Sequence, residues 1–375
     1  MTNGNPIKVL VVDDTVFYRK IVSDILAELP DVEVVGTANN GKIAMSRIAF
    51  LEPDLLILDI EMPEMSGLEV LASIQERSLD VGAIVLSSLT PEGGEITMRA
   101  LDLGAFDFVP KPDTGSMEEN RKVIRDTLVS MLKAFVRRKE VRRILKGESD
   151  LAGTESVDRQ RGVVSPGVVQ RMGAITSRRT VKSEIVGIGI STGGPNALSQ
   201  IMPQFPADLG VPILIVQHMP PMFTQALAKS LDSKCSMEVK EAIDGQPLLP
   251  NVALIAPGGK QMKLVTGEDG INRIVRITDD PPENSCKPSI DYLFRSIARH
   301  YVGRATGVIM TGMGSDGVLG LKLMKRNGST IIAQDESTCV VYGMSKEAID
   351  AGVVDVIAPL DQISAEIMKT VRIYH

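Results

Sequence analysis

Short runs of Val, Ile and Leu recur along this chain with stretches of helical period between them, and the alternation occurs twice. Strands that read as near-continuous apolar runs are buried on both faces, the condition of a parallel sheet covered by helices. From Ile7 to Lys111 the spacing predicts five strands, over Lys8–Val12, Val32–Thr37, Leu55–Leu58, Ala83–Ser87 and Phe106–Val109. Helices are expected to begin near Thr15, Asn40, Ser66 and Gly94. From Glu184 strands are expected near Ile185–Ile190, Pro212–Gln217, Val252–Ala256, Thr306–Met310, Thr330–Ala333 and Asp355–Ile357. Helical spacing covers Ala197–Phe205, Phe223–Leu231, Ile290–Tyr301, Val318–Lys325 and Gln362–Val371. Between Asp113 and Ser183 strand signals vanish, and a helix to about Lys146 gives way to polar sequence with scattered glycines. The expected fold class is α/β: two doubly wound parallel-sheet domains, residues 6–125 and 184–375, joined by a basic helix and flexible linker over 126–183.

A length of 375 residues fits two or three domains better than one. Hydrophobic residues at 43% and charged residues at 23% exclude disorder throughout and a fibrous repeat. Apolar runs such as Ile185–Ile190 are far shorter than the ~18–20 residues of a bilayer crossing, so no membrane insertion is expected. Asp13 and Asp14 break the N-terminal apolar run at once, which no secretory signal tolerates, and the expected location is cytoplasmic. Cys235, Cys286 and Cys339 lack CxxC spacing and read as reduced thiols. The net charge of −6 hides a basic stretch, Arg121–Lys182, with 16 Lys/Arg against 6 Asp/Glu. Its one aromatic residue is Phe135, so a solvated helix and linker, not nucleic-acid binding, is the expectation.

Functional groups of open α/β sheets collect beyond the carboxyl ends of the strands. In the first domain Asp13 and Asp14 end strand one, Asp59 ends strand three, Ser87 ends strand four and Lys111 follows strand five. Converging carboxylates repel unless a cation neutralises them, and all-oxygen ligation suits Mg²⁺. Asp59 could then attack a phosphoryl group held by the metal, the Lys111 ammonium and the Ser87 hydroxyl. The motifs VLVVDD, DLLILDIEMPEMSGLE, VLSSLT and GAFDFVPKP, across about residues 6–112, resemble the response-regulator receiver family. The resemblance implies that Asp59 is the phosphoacceptor and that Asp14 and Asp59 bind Mg²⁺ with the carbonyl of Glu61, beside Asp13. It further implies that Ser87 and Lys111 sense the phosphoryl group and that Phe108 is the aromatic switch residue.

In the second domain Gly187–Gly194 reads GIGISTGG between a strand and a helix. A dinucleotide-binding loop is one reading, but Thr192 stands where GxGxxG needs its third Gly. Gly189–Gly193 also matches GxSxG, which sets Ser191 on a tight strand-to-helix turn, and a purely structural glycine turn would look the same. A serine nucleophile needs a base that titrates near neutral pH. The chain offers His218, His300 and His375, of which His218 ends a strand at the same sheet edge as Ser191. Asp316, after another strand end, could orient His218 or simply cap a helix. The order Ser, His, Asp differs from that of the α/β-hydrolases.

GISTGGPNAL, VQHMPPMFT, DDPPENSCKPSIDYLF, TGMGSDG and AQDESTCVVYGMSKEA, within residues 184–373, resemble the catalytic domain of the chemotaxis protein-glutamate methylesterases. The resemblance implies a Rossmann-like domain with Ser191 as nucleophile, His218 as base and then acid, and Asp316 as its orienting partner. Amides near Thr192 and Met313 would form the oxyanion hole. It also implies hydrolysis of glutamyl methyl esters on chemoreceptor helices, deamidation of receptor glutamines, and a chemotaxis histidine kinase as phosphodonor. No cofactor is expected for the ester hydrolysis. Two departures from the family pattern are Gln261, where relatives often have His, and Cys286-Lys287, which replaces a more basic pair. Two competing classes are a catalytically silent binding module, against which the intact Ser191, His218 and Asp316 argue, and a DNA-binding regulator, whose output would normally be a short helical module and not a long, strand-rich domain outside the basic stretch. Inhibition of the esterase by the receiver until Asp59 is phosphorylated is the expected regulation.

Overall fold

The computed structural model describes residues 6–112, 116–145 and 181–371. The segment 146–180, where the linker is expected, and His375 lie outside the described residues. Five strands, β1 (Ile7–Val12), β2 (Val32–Ala38), β3 (Leu55–Asp59), β4 (Gly82–Ser88) and β5 (Asp107–Lys111), form a parallel sheet in the order β2-β1-β3-β4-β5. Its crossover helices are α1 (Val16–Ala27), α2 (Gly41–Leu51), α3 (Gly67–Glu76) and α4 (Pro91–Asp102). The reversal of strand order beside β1 opens a crevice above the strand ends, where Asp13 and Asp59 stand. Helix starts are locally encoded: Asn40 accepts from Ile43, Ser66 and Glu69 form a capping box, and Thr90 precedes Pro91 and accepts from Gly93. Helix α4 therefore begins three residues before the Gly94 expected from apolar spacing.

Helix α5 runs unbroken over Met117–Leu145, so the expected division at 125/126 falls inside it. Ile124, Leu128, Met131 and Leu132 are buried in the core of the first sheet, so one face of this basic helix is packed and not solvated.

The C-terminal sheet is also parallel and has seven strands: β6 (Ile185–Ile190), β7 (Ile213–Gln217), β8 (Glu238–Glu241), β9 (Val252–Ile255), β12 (Ala305–Ile309), β13 (Thr330–Gln334) and β14 (Val356–Ala358). Their order is β14-β13-β12-β6-β7-β9-β8. Around it lie α6 (Gly194–Ile201), α7 (Phe223–Asp232), α8 (Ile290–His300), α9 (Val318–Arg326), α10 (Met344–Asp350) and α11 (Leu360–Val371). An antiparallel hairpin, β10 (Gln261–Thr266) and β11 (Arg273–Thr278), was not expected from the apolar runs. Met262, Leu264 and Val275 are buried while Lys263, Val265, Ile274 and Arg276 beside them are partly or fully exposed, so past the buried Gln261 this element has period two and no continuous run. Strand β8 and helix α10 escape the same reading because they span four and seven residues.

The two halves pack together through α4 and α7. Phe108 stacks on Phe223 with ring centroids 4.7 Å apart, and both are buried. Gly94 lets the helices approach, since a Cβ there would lie 3.3 Å from Ala226 Cβ. Lys229–Glu95 and Lys234–Asp102 ion pairs, at 2.9 and 2.6 Å, flank the contact.

Candidate active site and phosphorylation site

At the edge of the first sheet Asp13 follows β1, Asp59 closes β3 and Lys111 closes β5. Lys111 Nζ lies 2.9 Å from Asp13 and 2.7 Å from Asp59. Burial pushes the Asp59 carboxyl up to about 6 against the pull of Lys111, and Asp13 beside it adds to the rise. Burial alone would draw the Lys111 ammonium down, but the two carboxylates outweigh it and hold it high. Carboxylate oxygens of Asp13, Asp14 and Asp59 all lie within 4.8 Å of one another. Asp13 Oδ2 is buried, with the Lys111 ammonium beside it at 2.9 Å. Three carboxylates against one ammonium leave a negative excess, and this all-oxygen donor set fits a hard divalent cation such as Mg²⁺.

Ser87 is placed differently from the expectation. The Ser87 hydroxyl is turned toward α4, accepting from Thr97 Oγ1 at 2.5 Å and donating to Gly93 O at 3.3 Å, so it does not join the carboxylate cluster here. The Glu61 carboxylate accepts from Ser88 Oγ at 3.0 Å.

In the second sheet Ser191 follows β6 and His218 follows the neighbouring β7, and strand order reverses on the other side of β6, between it and β12. Ser191, Thr192 and His218 line one cavity of about 520 Å³. His218 Nε2 is 2.8 Å from Asp316 Oδ2, while Nδ1 is 3.7 Å from Cys286 Sγ. Ser191 Oγ makes no hydrogen bond to His218 in this arrangement. Asp316 does not cap its own helix, where Gly317 takes the N-cap position. Its carboxylate instead accepts from Ile290 N, Asp291 N, Ser289 Oγ and Asn284 Nδ2, at 2.7 to 3.2 Å, at the start of α8. These donors and His218 draw the Asp316 carboxyl down against its burial. Burial would lower the imidazole of His218, but Asp316 and Cys286 outweigh it and hold it up to about 9.

The turn carrying Ser191 is tightly built. Gly193 takes φ 74°, and a Cβ at Gly194 would lie 1.9 Å from Gln217 Oε1. That amide group braces the turn, since Gln217 Nε2 donates to the carbonyls of Ser191 and His218 at 2.9 and 3.1 Å. No hydrogen-bond partner is found among the described residues for the amides of Thr192 and Met313. Residues of the N-terminal half close over this cavity: Asp107, Phe108, Pro110, Val123, Thr127 and Met131 line it. His300, in α8, lies apart from it.

The family description "CheB methylesterase" matches residues 186–367 and "Response regulator receiver domain" matches residues 9–121. A "Protein-glutamate methylesterase/protein-glutamine glutaminase" of Desulfotalea psychrophila is 50% identical over 371 residues, 98% of this chain and 99% of that one. The chain belongs to the CheB methylesterase family. A relative of the same description from Geobacillus kaustophilus is 42% identical over 366 residues, 97% of this chain and 99% of its own. The crystal structure of the Thermotoga maritima CheB methylesterase catalytic domain aligns with a TM-score of 0.49 at 39% identity, covering 50% of this chain and 99% of that one.

Within this CheB-family architecture the structure adds residues that sequence reasoning did not single out. Asp107 reaches across to the C-terminal half, Gln217 braces the serine turn, and Asn284 ties the Cys286 loop to Asp316. Gln217 adjoins His218 in sequence and was the one within reach of a local signal, as a buried polar residue closing an apolar strand. No helix among the described residues is long and apolar enough to cross a membrane.

Proposed function

We propose that this chain is a phosphorylation-controlled protein-glutamate methylesterase acting on chemoreceptors in the cytoplasm. The observation that carries the reading is the shared cavity: Ser191 and His218 line it, and His218 is held by Asp316 at 2.8 Å. Ser191 Oγ attacks the γ-carbonyl carbon of a glutamyl methyl ester while neutral His218 takes its proton. The amides of Thr192 and Met313, which have no partner among the described residues, receive the developing oxyanion. Collapse expels methoxide, which takes the proton from His218 and leaves as methanol. Water then attacks the acyl-serine with His218 again as base, releasing glutamate and Ser191. A glutamine side chain follows the same course with ammonia leaving, so receptor deamidation is the companion reaction.

Asp59 accepts the phosphoryl group from a chemotaxis histidine kinase, and Asp14, Asp59 and the carbonyl of Glu61, beside Asp13, would hold Mg²⁺. Mg²⁺ would supply charge neutralisation for the incoming phosphoryl oxygens. Phosphorylation draws Ser87 and Lys111 to the new oxygens, and Ser87 must leave Thr97 and Gly93 of α4 to respond. Helix α4 and Phe108 are the elements packed on α7, which supports relief of the receiver's cover over Ser191 as the regulatory step. The test is methanol release from methylated receptor fragments by the full chain, with and without a phosphodonor. Release that is slow alone, rises with the phosphodonor and vanishes in Ser191→Ala is expected. Equal release in both conditions would remove the regulatory half of the reading, and none in either the enzymatic half.

A further inference from the structure

We propose that His218 and Cys286 form a binding site for thiophilic divalent ions such as Zn²⁺, and that an ion bound there switches off ester hydrolysis. The inhibitory part rests on the esterase reading above; the binding part does not. Cys286 Sγ and His218 Nδ1 are 3.7 Å apart on the wall of one cavity. Zn–S and Zn–N bonds of about 2.3 and 2.0–2.1 Å at a tetrahedral angle put S and N about 3.5 Å apart. A shift of a few tenths of an ångström therefore completes the pair.

The second coordination layer is already in place. Histidines that bind metals usually donate their other ring nitrogen to a carboxylate, and His218 Nε2 faces Asp316 Oδ2 at 2.8 Å. The loop bearing Cys286 is fixed independently: Asn284 Nδ2 donates to Asp316 and Asp291 at 3.0 and 3.1 Å, and Arg295 grips Glu283 through two hydrogen bonds. Sγ now donates to Asn284 O at 3.4 Å and would exchange that weak bond, with its proton, for the metal. Two protein ligands leave positions for water, so the site is incomplete and binding reversible. Thiolate and imidazole select Zn²⁺, Co²⁺ or Cd²⁺ over Mg²⁺, which separates this site from the carboxylates at Asp59. An ion on Nδ1 takes the lone pair with which His218 would accept the Ser191 proton.

Zn²⁺ and Co²⁺ are titrated into the full chain at saturating Mg²⁺ and without phosphodonor. Co²⁺ is expected to give a near-ultraviolet cobalt–thiolate charge-transfer band, lost in Cys286→Ser. Zn²⁺ is expected to slow alkylation of Cys286 while leaving Cys235 and Cys339 unaffected as internal controls. Relative to each protein's own metal-free rate, Cys286→Ser should need at least about 10-fold more Zn²⁺ for half-inhibition. Absence of the band and of protection would overturn the site. Band and protection with equal inhibition of both proteins would overturn the inhibitory role. A chain that hydrolyses no ester at all refutes the functional reading, while the band and the alkylation rates still decide the site.

Discussion

Asp107 Oδ2, on β5 of the receiver, accepts the backbone N–H of Gly193 at 3.0 Å, two residues beyond Ser191. The other oxygen accepts from Phe108 N at 2.9 Å, so one carboxylate ties β5 to the serine turn. The carboxyl is buried and pushed up to about 6 by that burial, despite both amide donors. On the proposed reading, this buried carboxylate, bonded to the serine turn beside the Thr192 amide, helps hold the unphosphorylated chain closed. Asp107→Ala should raise basal methanol release and shrink the further gain from a phosphodonor. An unchanged basal rate would show that the contact is incidental to closure.

Truncating a buried Phe typically costs about 3–5 kcal/mol, and the Phe108–Phe223 contact places part of that cost at the interface. Phe108→Ala should raise the basal esterase rate and increase protease sensitivity between the halves, with Asp59 still accepting phosphate. If basal hydrolysis stays at the wild-type level, the stack does not govern access.

The pH dependence follows from His218. Its imidazole titrates near 9, and only the neutral form can take the Ser191 proton, so residual activity of the unphosphorylated chain should climb as pH rises toward that value. Asp316→Asn removes the carboxylate that sustains this, moving the rise to lower pH and cutting kcat by about 10⁴-fold. For stability the sign is that of a group raised above its ordinary 6.5: the contribution is complete below that value and is lost as pH climbs through about 9. Thermal unfolding of wild type and His218→Gln across this range measures it, and parallel curves would contradict the linkage.

A methyl group at Gly194 would overlap the Gln217 carboxamide, which holds the carbonyl of Ser191. Gly194→Ala should reduce hydrolysis by about 10²-fold, the scale of an ångström displacement of a reacting group. Phosphorylation of Asp59 should be untouched, and loss of both functions would instead indicate general unfolding.

Much of the fold was legible because the strands of the two parallel sheets are mostly fully buried, which writes them as unbroken apolar runs such as Leu55–Leu58 and Ile185–Ile190. The hairpin β10–β11 was not, since only one of its faces is covered and its apolar residues alternate with Lys263 and Arg276. Site residues at strand ends were legible for the same reason: a strand end is a local property, and it puts Asp13, Asp59, Lys111, Ser191 and His218 at the sheet edges. Ser87 marks the limit, because its position was fixed by β4 but its hydrogen bonds were chosen by a rotamer, toward Thr97.

The sequence by itself determined two parallel α/β units, the acids and the lysine of one, and the serine, histidine and aspartate of the other. Only the tertiary structure decided that Asp107 meets Gly193, that Phe108 meets Phe223, and that Cys286 stands beside His218. Those pairings are set by how preformed surfaces dock and how an irregular loop is tied down, through contacts 86, 115 and 68 residues apart in the chain. Apolar periodicity reports which face of an element is buried, and it carries no information about which distant side chain buries it.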